Sequence, residues 1–134
     1  MNDDQIRCVR VYNGDDGEAR FEDLLITLDE DVFGWKSVPL DVTGADFRIV
    51  RPEYPASWSR SPHPRLIIIL GGVMLIELGD GSTRRLEAGD VFLNEDFTGQ
   101  GHKAHNDGTV RRIMTISLEP GFDVDTLRGS PKTA

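Results

Sequence analysis

The chain has 134 residues, enough for one domain that buries its own core without disulfide or metal staples. With 23 Asp and Glu against 15 Lys and Arg, its net charge of −8 repels phosphate backbones. Its basic residues fall in separated pairs, Arg84-Arg85 and Arg111-Arg112, without interleaved aromatics, so nucleic acid is excluded as the expected partner.

The N-terminus is acidic and polar and fits neither a signal peptide nor a mitochondrial presequence, so a cytoplasmic location is expected. A first alternating run, 6–12, reads as a strand and carries Cys8, the single cysteine. One cysteine forms no intramolecular disulfide and suits a reducing compartment, and with no His or Lys beside it the thiol is expected to be inert. The turn Asn13-Gly14-Asp15-Asp16-Gly17 follows, then a run over 21–28 and another over 47–50. Pro52, Pro55, Pro62 and Pro64 make 51–64 a loop, because proline cannot sit in a central strand.

The next run, 66–70, is wholly apolar and is expected to be a central strand. After Gly71-Gly72, runs at 73–78 and 83–86 flank Gly79-Asp80-Gly81-Ser82, a β-hairpin with Asp80-Gly81 at its tip. Even the longest apolar stretch, 66–76, is broken by the two glycines and is far short of the roughly 20 residues that cross a bilayer, so no membrane span is expected. Strands over 91–94 and 110–118 complete the series. The segment 123–134 has little to bury and is read as a mobile C-terminal tail behind a single domain spanning 1–122. No window holds a helical apolar period, so helix content should be small, and many short strands with close turns predict an all-β sandwich or barrel.

Two groups of residues within 65–118 resemble the cupin superfamily. An apolar strand ending in Gly-Gly leads through the hairpin to Glu87-Ala88-Gly89-Asp90-Val91, similar to the turn that opens the second cupin motif. Gly99-Gln100-Gly101-His102-Lys103-Ala104-His105-Asn106 reproduces that motif's closing pattern of Gly, two residues, His, three residues, Asn. The segment Glu95-Asp96-Phe97-Thr98-Gly99-Gln100-Gly101-His102 is similar to the ED-x-x-G-x-GH segment of a poorly characterised group of small bacterial cupins. The resemblance implies a double-stranded β-helix, the jelly-roll barrel, with a ligand-sized cavity, and a homodimer that covers its edge strands. The strand 6–12 is the exchange element expected.

Cupins that hold a metal use a His pair and a Glu from the first motif with the His of the second. Counting back from Gly72 puts Arg65 at the Glu position and the His pair on Ser59 and Ser61, or in the alternative register on Trp58 and Arg60. Three of four ligands are therefore absent, and the expected cofactor is none, although His63 beside His102, with Glu95, Asp96 or His105, leaves a metal open.

By the resemblance His102 lies inside the barrel, where an imidazole serves as general acid or base, or else as a structural group bonded to Asn106 or a loop carbonyl. Arg65 either offers a carboxylate or enolate a bidentate fork at the barrel mouth, or pairs internally with Glu95 or Asp96. Alternation points one of Glu95 and Asp96 inward and the other to solvent. Trp58, Tyr54, Phe92 and Phe97 line an aromatic pocket or form plain core.

Three functions compete. The first is a metal-independent isomerase, cyclase or lyase acting on a small organic acid or carbonyl compound, with His102 moving a proton, Arg65 holding an anionic oxygen, and His63, Glu95, Asp96 and Trp58 around the substrate. The second is a binding module or sensor that holds a small-molecule ligand in the same cavity, and the third a metal-dependent dioxygenase or lyase with an unusual ligand set. Either of the first two readings predicts a cavity lined by Arg65 and His102.

Overall fold

The structure is a computed structural model and describes residues 4–129. Strands β1 (Ile6–Asn13) and β2 (Ala19–Ile26) form the first hairpin, and β3 (Asp29–Asp31) pairs with β4 (Gly34–Lys36) as a separate ribbon. Then come β5 (Val42–Val50), β6 (Arg65–Gly71), β7 (Met74–Glu77), β8 (Thr83–Leu86), β9 (Val91–Glu95), β10 (Lys103–His105), β11 (Arg111–Leu118) and one helical turn, α1 (Asp125–Arg128).

Six strands make one sheet in the order β2-β1-β9-β6-β11-β5, and three make a second in the order β10-β7-β8. From β6 to β11 the chain changes sheet at every step except the β7–β8 hairpin, which gives an all-β jelly-roll barrel. Gly81, at φ +87°, turns that hairpin at the expected Asp80-Gly81 tip, where Asp80 Oδ1 accepts the Ser82 amide. As expected, β6 is central: its Ile67 and Ile69 point into the barrel, while Leu66 and Ile68 point to the opposite face. Both faces being covered, its sequence is apolar throughout instead of alternating.

Between the sheets lie Val9, Val11, Ile67, Ile69, Phe92 and Ile113 of the large sheet against Met74, Ile76 and Leu86 of the small one. Cys8, Leu24, Leu66, Val91, Leu93 and Leu118 form a second core on the outer face, capped by Val124 and Leu127. Burial pushes the Cys8 thiol up to about 12, which makes it an inert packing group.

Three expectations are corrected. The C-terminal segment is not a free tail as far as Gly129: Leu127 is 1% exposed, its carbonyl accepts the Thr27 amide at 2.8 Å, and Arg128 pairs with Glu22. The remainder of the segment, 130–134, lies outside the described residues. The strand 6–12, expected as an exchange element, is here paired within its own chain, antiparallel to β2 and parallel to β9. The ribbon 29–36, the short β10 and α1 went unread, because three-residue strands and a single turn carry no periodicity.

The outer face is unevenly covered. Leu24, Cys8, Val91, Ile68, Met114 and Phe47 form one row across all six strands. Leu24 is 8% exposed under α1, whereas Phe47 at the β5 edge is 74% exposed. Ile49 and Leu70 are open beside it.

Candidate functional site

Beside the ends of β5 and β11 and the 51–59 loop, the barrel opens into a cavity of about 700 Å³. Val50, Ile67, Met74, Ala104 and Ile113 give it apolar walls, and the proline-rich loop adds Arg51, Tyr54, Ser57 and Ser59 at its rim. Arg48 and Arg111 complete the cationic lining, which includes no His, Cys, Asp, Glu or Lys among the described residues.

Arg111 is placed with care by its neighbours. Gly72, at φ +77°, lets the β6–β7 turn run against β11 so closely that a Cβ there would lie 2.3 Å from the Val110 carbonyl oxygen. Arg111 Nη1 donates to Asn106 Oδ1 at 2.9 Å and to the His105 carbonyl at 3.4 Å. Asn106 Nδ2 donates onward to the Arg51 carbonyl at 3.2 Å, which ties the loop to the strand. Arg111 is 7% exposed, and its Nε is buried without an acceptor. Desolvation holds its pKa below the ordinary arginine value. Arg48 differs, because Asp46 takes it in a two-point pair at 2.8 and 3.2 Å.

The residues singled out from the sequence lie elsewhere, and neither Arg65 nor His102 lines this cavity. His102 is 4% exposed, its Nδ1 is 2.8 Å from Asp96 Oδ2, and Phe92 meets it edge-on at 5.8 Å. Asp96 is fully buried and also accepts from Asn13 Nδ2 at 2.9 Å, so the pair is a closed internal network. Arg65 donates through Nε to Ser61 Oγ at 3.0 Å and bonds neither Glu95 nor Asp96. Its pKa is lowered, first by desolvation and then by Arg48.

Glu95 lies on the outer face with Arg10 at 2.7 Å, so alternation does separate it from Asp96, yet both are buried and neither reaches the cavity. His63 Nε2 lies 3.0 Å from Ser117 Oγ. Trp58 stacks under Lys103 Nζ at 5.0 Å beside a shallow hollow shared with Arg60, Pro62 and Phe97. Of the residues named from sequence, Tyr54 and Ser59 reach the cavity rim. In the sequence Arg111 stands out only as half of a basic pair; its place at the start of a strand, five residues after the closing Asn106, is the available signal.

The residues at the cupin ligand positions do not fit a metal centre. Ser59 and Ser61 bring hydroxyls and Arg65 brings a cation, which leaves His102 as a lone imidazole at those positions. Among the described residues no three His, Cys, Asp or Glu side chains converge as a metal cage would require.

No family model matches the chain, and no curated protein matches it. Among solved structures, it is similar to a cupin-2 domain containing protein from Shewanella frigidimarina, with a TM-score of 0.44 and 18% identity over 63% of this chain and 83% of that one. It is also similar to protein NMB1881 from Neisseria meningitidis, with a TM-score of 0.44 and 15% identity over 63% and 87%. The cupin domain of Schizosaccharomyces pombe Cnp3 gives 0.35 and 17% over 88% and 86%. At these identities nothing about chemistry passes from those proteins to this one, and the fold assignment rests on the strand order and register given above. Fold and site together define a small jelly-roll barrel with an arginine-lined mouth.

Proposed function

We propose that this chain is a small-molecule-binding barrel whose ligand enters the cavity between β5, β11 and the 51–59 loop. The observation that carries this reading is the lining itself: apolar walls, a few hydroxyls and guanidiniums at the rim, and no carboxylate, imidazole, thiol or amine to move a proton. The cavity volume of about 700 Å³ suits an ordinary metabolite-sized molecule. A metal-independent enzyme would need a proton carrier at the bound ligand; the lining offers only the Tyr54 phenol, 69% exposed at the rim, and His102, the carrier named from sequence, is enclosed with Asp96 away from it. Binding without turnover is therefore the better-supported function.

The experiment is ligand screening by thermal shift, with each hit incubated with protein and followed by NMR. Hits that persist unchanged, and that are lost when Ser57→Trp or Ala104→Leu fills the cavity, support the reading. Chemical conversion of a hit would restore the enzyme.

A homodimer belongs to the same reading, with its contact at the β5 end of the outer face. Phe47 and Ile49 are uncovered there beside Arg112, which has no acidic partner among the described residues. The β3–β4 ribbon offers the complement, with Val32 and Phe33 at 90% and 96% exposed next to Asp29 and Glu30. Two-fold symmetry applies each complementary pair twice.

A further inference from the structure

We propose that the ligand of this cavity is a small organic carboxylate, gripped side-on by Arg111 with its apolar body against Ile67, Met74 and Ile113; the proposal rests on the cavity being the ligand site. The buried arginines are unequally compensated. Arg10, which is part-buried, is compensated by two carboxylates, Glu22 at 2.9 Å and Glu95 at 2.7 Å, while Arg65, desolvated as Arg111 is, meets the Ser61 hydroxyl at 3.0 Å and lies outside the cavity. Arg111, at 7% exposed, has no carboxylate at all among the described residues. A buried cation held only by neutral acceptors keeps most of its desolvation penalty, and an anion that arrives with the ligand removes it.

The geometry of the free edge identifies the anion. Nη1 is used by Asn106 and the His105 carbonyl. Among the described residues that leaves Nε, which is enclosed and has no acceptor, and Nη2, which makes no hydrogen bond; a ligand oxygen reaches Nε once the side chains over it shift. Nε and Nη2 form the side of a guanidinium that takes two oxygens of one planar group in parallel N–H···O bonds. The Asn106 anchor fixes the plane of the fork in advance, so little conformational freedom is lost when the pair forms.

Electrostatics agree with this choice. The chain carries −8 overall, yet the cavity is lined by Arg48, Arg51 and Arg111 without one acidic residue. Asp46 neutralises Arg48, so the uncompensated charge belongs to Arg51 at the rim and Arg111 within. A phosphate group would call for several converging donors, whereas one guanidinium edge above apolar walls matches a monocarboxylate with a hydrocarbon body.

The test is isothermal titration of the full chain with three acids (benzoate, phenylacetate and hexanoate), their primary amides, and inorganic phosphate. We expect at least one acid to bind about tenfold or more tighter than its amide, because the amide presents one acceptor to a fork built for two. Arg111→Met should reduce that affinity by about a hundredfold, Arg111→Lys by less, and the exposed control Arg85→Met, outside the cavity, not at all. Should Arg111→Met fail to fold, the Arg111 Nε–H resonance of the wild type gives the same answer by shifting on addition of acid and not of amide.

Equal affinity for acids and amides, or acid binding unchanged in Arg111→Met, would overturn the carboxylate and leave the cavity as a neutral-ligand site. Preference for phosphate, or no acid binding at millimolar concentration, would overturn it also. Binding that survives Ser57→Trp and Ala104→Leu would instead overturn the cavity as the place where ligands sit.

Discussion

His102, expected as the proton carrier, and Asp96, expected beside the substrate, are buried against each other away from the cavity. Asp96 is bonded to His102 and Asn13, and His102 holds Asp96 through Nδ1 and Ser59 through its backbone at 2.9 Å in both directions. Removing one partner strands the other, so His102→Ala and Asp96→Ala should each lower stability by about 3 kcal/mol in urea unfolding while leaving ligand affinity intact. A variant that folds normally but loses binding would return His102 to the site. Gly101 belongs to the same unit; it holds φ +87°, and a Cβ there would sit 2.2 Å from the Ser59 carbonyl oxygen, so any side chain breaks the bridge. The donor set also makes a prediction at this scale. Elemental analysis of protein purified without added metal should find less than stoichiometric zinc, iron, nickel or manganese, and one equivalent lost in His102→Ala would overturn that.

Among elements, the C-terminal turn matters most to the outer core. α1 is too short to be stable alone, and it is held by Leu127 in the outer core and by Arg128, which bonds both Glu22 and Asp125. Leu127→Ala should cost about 2–4 kcal/mol in thermal or urea unfolding. The Glu22 carboxyl is held below the ordinary range, mainly by its hydrogen bonds to Arg128 and then to Arg10. Folded protein therefore binds that proton less readily than unfolded protein. The stabilisation is complete above the ordinary glutamate pKa and is lost as pH falls through the depressed one. Amide exchange at Thr27 and Gly129, whose protons are given to Leu127 and Asp125 carbonyls, should accelerate on acidification before the β6 and β9 amides do. In Glu22→Gln that acid step should be absent.

For the whole molecule, the open end of the outer face makes an association test decisive. The core row that α1 covers at β2 continues apolar to Phe47 at β5, a kind of exposure that marks contact surfaces. Light scattering at micromolar concentration should give about 30 kDa, twice the chain mass of 14.9 kDa, and Phe47→Lys with Ile49→Lys should give the single-chain mass with an unchanged circular dichroism spectrum. A wild type that scatters as a single chain at high concentration would remove the dimer. Among the described residues no helix is long and apolar enough to cross a membrane.

Local rules carried much of the fold. Alternation located the longer strands, glycine and aspartate chemistry located the β7–β8 turn, and the unbroken apolar run of β6 announced a strand covered on both faces. Such signals need only neighbours within a few residues, because side-chain period and turn dihedrals are properties of the local backbone. Which arginine faces the cavity is a different kind of fact. Arg65 and Arg111 both begin strands of the large sheet, but β6 and β11 run antiparallel, so the two residues sit at opposite ends of the barrel. The end that opens was decided by where the 51–59 loop lies and by Asn106 joining that loop to Arg111 across 55 positions of sequence. Motif spacing fixes positions along a strand; the cavity depends on which strand ends meet, and only the packed sheets determine that.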